Sequence, residues 1–276
     1  MGRDLLDITQ IAKMAKNMRI NAIELAYKAG KSGSHLGGGL SAIEIMASLY
    51  GHAMNISKDN ITDINRDRFL LSKGHGTLAY YTALYEAGLI TKEKLFTFEE
   101  NGGDLPGQPM RNLELGIEIS SGSLGMGLSI GVGMALAAKM SNRENRVYVL
   151  LGDGECNEGS IWEAAMSAVH FKLANLVVII DQNGLQSDGA CEAVFNTAPL
   201  QNMWDGFGWK TYTVNGNNVK ELCDVFDICV SQNKPCVILA QTIKGKGVSF
   251  MEGDKNWHHG VLSNEQYEQA LAEVNK

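Results

Sequence analysis

Residues 146–159 read RVYVLLGDGECNEG. Val147 to Leu151 form a short, continuous apolar run, the pattern of a strand buried on both faces. The chain then turns at once into Gly152-Asp153-Gly154, and Asp153, Glu155 and Glu158 crowd one strand end. Carboxylates that close repel each other unless a cation, a ligand or a partner chain offsets them. Gly154 begins the approach to a helix over 160–171, whose first amides favour phosphate.

Outward from this point the pattern repeats. NLVVIID (175–181) reads as a strand followed by a long irregular loop, and WKTYTVN (209–215) as another strand. NVKELCDVFDICVS (218–231) reads as a helix and PCVILAQT (235–242) as a strand. Alternating strands and helices predict an α/β fold, a parallel central sheet with helices on both faces. In such sheets ligands sit beyond the carboxyl ends of the strands. LGDGE, DQNGLQSDG, QTIKGKG and, after the strand RFLLS (68–72), LSKGHG all fall at that edge.

Towards the N-terminus, Ile11, Met14, Ala15, Met18 and Ala22 predict a helix over 8–29, stopped by Gly30. Ser41 with Glu44 three residues later predicts a capping box opening a helix over 41–50. TLAYYTALYEAG (77–88) and SLGMGLSIGVGMALAAKM (123–140) read as helices, the second with small residues on several faces.

Composition narrows the function. A net charge of −7 argues against a nucleic-acid surface. No apolar run approaches the ~20 residues of a membrane span. The N-terminus lacks a basic-then-apolar leader, and Leu6 stands where myristoylation needs Ser or Thr. Five cysteines without CxxC spacing suggest reduced thiols and a cytoplasmic protein. Cys156 has no paired base and reads as a bystander.

Asp153 and, thirty residues on, Asn183 follow neighbouring strands. A carboxylate and an amide oxygen from adjacent strand ends suit a hard divalent cation such as Mg²⁺ held together with ligand phosphates. Taken alone, GDG equally suits a helix-start charge. Of six histidines, His52 and His170 lie in helical stretches and read as structural. His35, His75, His258 and His259 are glycine-flanked, fit for donating to phosphate or moving protons. No pair has the i, i+4 spacing of a zinc site.

The run 151–189 resembles the thiamine-diphosphate motif in its transketolase form. KSGSHLGGGLSA, LSKGHGTLAYYTALYEAGL, SSGSLGMGLSIGVGMALAAK and QTIKGKGVSFME with WHHG follow the order of the diphosphate-binding half of transketolases, across residues 10–260. The resemblance implies thiamine diphosphate and Mg²⁺ (Ca²⁺ or Mn²⁺ as substitutes), and two-carbon transfer from a ketose to an aldose. It implies that residues 1–276 are the diphosphate-binding domain. The pyrimidine-binding and C-terminal domains would lie on a partner subunit, in an α2β2 assembly acting on sugars or sugar phosphates. An activating glutamate would come from that partner.

By the same resemblance Asp153, Asn183 and the carbonyl of Leu185 are metal ligands. Gly154, Asn183, His75, His258 and Lys244 hold the diphosphate, and Gly122, Ser123 and Leu124 contact the rings. His35 and His258 serve the sugar as catalytic groups, with His259 the substitute if the register of WHHG is off by one. Glu158 joins an acidic network at the subunit interface. Glu155 matches no role and reads as a helix-start acid.

Three positions depart from the family pattern. Gln108 stands where PGHP carries a substrate-contacting histidine, and an amide cannot exchange a proton near neutrality. Met126 replaces a common glutamine, and Ser187 a branched apolar residue. The rival readings are another thiamine enzyme of the 1-deoxyxylulose-phosphate-synthase type, which normally keeps both cofactor domains together, and a non-catalytic module of the same fold.

Overall fold

Strict alternation of side chains across five strands organises the molecule, whose computed structural model describes residues 6–197 and 199–276. The strands are β1 (Arg68–Leu71), β2 (Val147–Gly152), β3 (Leu176–Gln182), β4 (Lys210–Asn215) and β5 (Cys236–Gln241). They form one sheet in the order β1-β2-β3-β5-β4, every neighbouring pair parallel. All their carboxyl ends therefore open on one edge, as the sequence predicts. The register sets those ends level: Gly152 lies opposite Asp181, and Asp181 opposite Ala240.

The helices are α1 (Ile8–Lys28), α2 (Leu36–Leu40), α3 (Ile43–Ser48), α4 (Thr77–Glu86), α5 (Lys92–Leu95), α6 (Met126–Met140), α7 (Gly159–His170), α8 (Cys191–Val194), α9 (Leu200–Gly206), α10 (Val219–Val230) and α11 (Asn264–Asn275). Tyr148, Leu150, Val177, Ile179 and Ile238 face a core shared with α1, α3, α4 and α10. Val147, Val149, Leu151, Val178 and Ile180 face the other core, with α6, α7 and Trp204 of α9. Two-sided burial explains why β2 and β3 carry no polar alternation. β4, at one sheet edge, exposes Lys210, Thr213 and Asn215.

α1 buries the predicted apolar face, opens on an Asp7–Gln10 capping box and is followed by Gly30 at φ +56°. The helix expected over 41–50 is different. The chain is already helical over the glycine run of α2 and restarts at Ile43 as α3. Ser41 ends α2 and does not N-cap α3: its hydroxyl donates to Asp181 at 2.6 Å, while Glu44 pairs with Arg19 at 2.7 Å. A tertiary use of both polar groups overrides the local capping pattern. The helix expected from 123 begins at Met126, after Gly125 in the left-handed region. The loop after β3 contains α8 before α9. The sequence reading does not include α11, although Ser263 and Gln266 form its capping box, and Tyr267 stacks on Tyr27 of α1 at 4.0 Å.

No helix among the described residues is long and apolar enough to cross a membrane. All five cysteines are free thiols.

Candidate active site

The carboxyl ends of β1, β2, β3 and β5 converge on a cleft of about 250 Å³. Lys73, His75, Leu124, Asp153, Gly154, Asn183, Leu185, Lys244 and His258 line it. Asp153 is pinned by two amides: Gly184 N–H donates to Oδ2 at 2.6 Å and Gly154 N–H to Oδ1 at 2.8 Å. Asn183 Nδ2 donates to Asp181 at 3.2 Å, and its Oδ1 accepts from Leu185 N–H at 3.1 Å. The Leu185 carbonyl accepts from Lys244 Nζ at 3.0 Å.

The three oxygens fit a hard cation. One carboxylate, one amide oxygen and one carbonyl are the donor types Mg²⁺ takes alongside ligand phosphates. Among the described residues no three His, Cys, Asp or Glu side chains converge as a metal cage. A cation of the chain itself, the Lys244 ammonium, already rests against one of these oxygens, the Leu185 carbonyl. Burial, then the charge of Asp181, raises the Asp153 carboxyl above its ordinary value, which a bound cation reverses. Burial, then repulsion from Lys73, lowers Lys244 to about 8.

Four histidines form the wall between this cleft and a second one of about 360 Å³. The second is lined by Ser34, His35, Gln108 and His259. His35 lies 5.5 Å from His75, 5.4 Å from His258 and 4.6 Å from His259, ring centre to ring centre. His75 and His258 are 5.1 Å apart. Burial comes first in lowering His35 and His258, each to about 4. The neighbouring histidines add to it for His35, and Lys244 adds to it for His258. His75 is lowered too, by burial and then Lys73. These shifts keep His35, His75 and His258 neutral at pH 7. Lys244 Nζ meets His258 Nδ1 at 3.0 Å. An ammonium only donates, so Nδ1 accepts and Nε2 carries the proton.

The predicted residues thus divide. Asp153, Gly154, Asn183, Leu185, His75, Lys244, His258 and Leu124 meet in the first cleft, and His35, Gln108 and His259 in the second. Gly122 and Ser123 line neither; Gly122 backs onto Gln108, and Ser123 is exposed. Met126 is 50% exposed on α6, and Ser187 lines the first cleft. His52 makes a surface pair with Asp227 at 2.8 Å. Cys156 is buried, its thiol pushed well above the ordinary range by burial and then by Glu155.

Glu155 does sit in the first turn of a short 3-10 helix over Gly154–Asn157, as expected, but its part is larger than that of a helix-start acid. It is buried, and its carboxylate accepts from Ser72, Gly125 N–H and Gly152 N–H. The reading also misses the polar floor of the site. Asp181 is fully buried and accepts from Lys73, Ser41 and Thr242. A charged residue ending an otherwise apolar strand is the available signal.

Residues 10–274 match the family described as transketolase, thiamine diphosphate binding domain. The chain is 42% identical to an apulose-4-phosphate transketolase subunit from Phocaeicola vulgatus, covering 98% of this chain and 96% of that one. It is 38% identical to the 6-deoxy-6-sulfo-D-fructose transketolase subunit SqwG of a Clostridium species, covering 100% and 99%. The solved transketolase of Campylobacter jejuni superposes with a TM-score of 0.89 at 29% identity, over 98% of this chain and 43% of that one. Family match, relatives and fold agree: the chain belongs to the transketolase family of transferases, as its thiamine-diphosphate-binding domain.

Proposed function

We propose that this chain is the diphosphate-binding subunit of a two-chain, Mg²⁺-dependent transketolase that moves a two-carbon ketol unit from a ketose to an aldose. The observation that carries it is the meeting of Asp153, Asn183 and the Leu185 carbonyl with Lys244, His75 and His258 in one cleft. Thiamine diphosphate, when bound, supplies the carbanion chemistry. Asp153, Asn183 and Leu185 hold the cation, while Gly154, Asn183, His75, Lys244 and His258 hold the diphosphate. Lys244 balances anionic charge, and the His258 Nε2–H donates into the cleft. His35 stands on the sugar side of the histidine wall. Neutral at working pH, it accepts a hydroxyl proton and returns it. Gln108 offers the sugar a fixed donor and acceptor.

The rest of the site comes from a partner subunit with the pyrimidine-binding domain, in an α2β2 assembly. The relatives named as subunits support this, since they match the chain nearly end to end, whereas the chain spans 43% of the Campylobacter enzyme. Their names also favour a ketose with an anionic terminal group as donor.

The test combines the chain with the product of a neighbouring reading frame and follows ketol transfer from ketose phosphates. Activity is expected only with both chains, thiamine diphosphate and Mg²⁺ present. Asp153→Ala should abolish Mg²⁺-dependent cofactor binding without unfolding the chain. Normal turnover by that variant complex would overturn the metal assignment. Tight, stoichiometric cofactor binding by the single chain would overturn the shared site.

A further inference from the structure

Glu155 lies directly after the GDG turn, 3% exposed. Its Oε1 accepts from the Ser72 hydroxyl and from Gly125 N–H at 2.9 Å, and its Oε2 from Gly152 N–H at 3.0 Å. Ser72 Oγ in turn accepts from Gly127 N–H at 3.1 Å. One carboxylate therefore ties together the ends of β1 and β2 and the entry to α6. Gly125 is held from both sides, since its carbonyl accepts from Ser160 Oγ at 3.0 Å. It adopts φ +82°, and a Cβ there would come within 2.6 Å of Ser160 Oγ and 2.7 Å of Glu158 Cβ. The next residue back, Leu124, lines the cleft of Asp153, Asn183 and Lys244.

We propose that Glu155 is a positioning residue: its buried carboxylate clamps the 122–125 loop to the GDG turn and so sets where Leu124 stands over the cofactor cleft. The inference rests on the proposed function for what the cleft holds, but not for the clamp. A buried carboxylate is costly unless each oxygen finds donors. Here it finds a hydroxyl and two amides from separate segments, an arrangement that specifies one loop position. Glutamine cannot reproduce it. Its single acceptor oxygen serves one side, and its NH2 then faces an amide N–H, donor against donor.

The experiment has two arms. In the first, amide exchange is followed residue by residue in the chain and in its Glu155→Gln variant. Whichever of the Gly125 and Gly152 amides is left facing the NH2 should exchange at least tenfold faster, with β2 and β3 otherwise unchanged. Unchanged exchange at both amides, or acceleration throughout the sheet, would overturn the clamp. In the second, thiamine diphosphate affinity at fixed Mg²⁺ is measured in the two-chain complex for Glu155→Gln, Leu124→Ala and the double variant. Glu155→Gln should weaken binding at least tenfold, and much less on the Leu124→Ala background, because the clamp acts through that loop. Fully multiplicative effects would overturn the positioning role. Should Glu155→Gln not fold, Glu155→Asp takes its place: a side chain one methylene shorter cannot span from Gly152 to Gly125, and the same outcomes are read at those two amides. If the wild-type complex shows no saturable binding, the proposed function fails and the exchange arm still decides the clamp.

Discussion

The Lys73 ammonium donates to the Asp181 carboxylate directly beneath the cleft, with the two side chains 1% and 0% exposed. Burial alone would raise Asp181. The Lys73 charge and the Ser41 and Thr242 hydroxyls outweigh it and hold Asp181 below its ordinary value. The pair also reaches the proposed metal site, because Asn183 Nδ2 donates to Asp181 and so fixes the orientation of the amide. Breaking such a pair from one side strands a buried charge. Lys73→Ala should therefore lose about 3–5 kcal/mol of stability, measured by urea unfolding. A loss below about 1 kcal/mol, the range of a surface pair, would show that solvent reaches Asp181.

The histidine wall makes stability depend on pH. His35 and His258 sit at about 4 in the folded chain against an ordinary value of 6.5. Between those values the unfolded chain takes up protons that the folded chain refuses. Their contribution is complete above pH 6.5 and is lost as pH falls through 4. The raised Asp153 carboxyl acts in the opposite direction. The informative comparison is thus wild type against a His35→Asn, His258→Asn chain, each by urea midpoint at several pH values. The wild-type midpoint should drop more steeply from neutrality towards the acid end. Parallel curves would contradict the shifts.

His258 and His259 are neighbours that face different clefts. His258 touches Lys244 in the cofactor cleft, whereas His259 lines the second cleft beside His35. His258→Ala should weaken thiamine diphosphate binding by about tenfold or more, the loss of a hydrogen bond to a charged group. His259→Ala should leave that affinity near wild type and change the sugar KM. Calorimetry and steady-state kinetics on the two-chain enzyme separate the two, and a reversed pattern would exchange the assignments.

Gln108 Oε1 packs where a Cβ on Gly74 or Gly122 would lie only 2.6 Å away, so the amide fills the gap between two cofactor-side loops and the sugar cleft. Gln108→His restores a titratable donor there. The ranking of specificity constants across a panel of ketoses, phosphorylated and not, should shift by about ten- to a hundredfold, the worth of one positioned polar contact. An unchanged ranking would make Gln108 a bystander in substrate choice.

The sheet was legible because β2, β3 and β5 are apolar runs separated by helical periods, and burial on two faces leaves that mark. The meeting of Asp153 and Asn183 in one cleft was legible because both sit at strand ends, where topology alone brings them together. What stayed hidden was long-range. Ser41 looks like a helix cap until Asp181, 140 residues away, claims its hydroxyl. Glu155 looks like a helix-start acid because its donors Gly125 and Ser72 lie 30 and 83 residues off in sequence. A local pattern says what a polar side chain could do nearby, and the tertiary fold decides which partner it takes.

The partition drawn by His35, His75, His258 and His259 bears on how such a catalyst diversifies. Cofactor contacts come from strand ends locked by the sheet's register, whereas Gln108 and Met110 reach the other chamber from the segment between α5 and α6. If the proposed function holds, changes in that segment would alter the second chamber while leaving the strand-end contacts of the first one untouched.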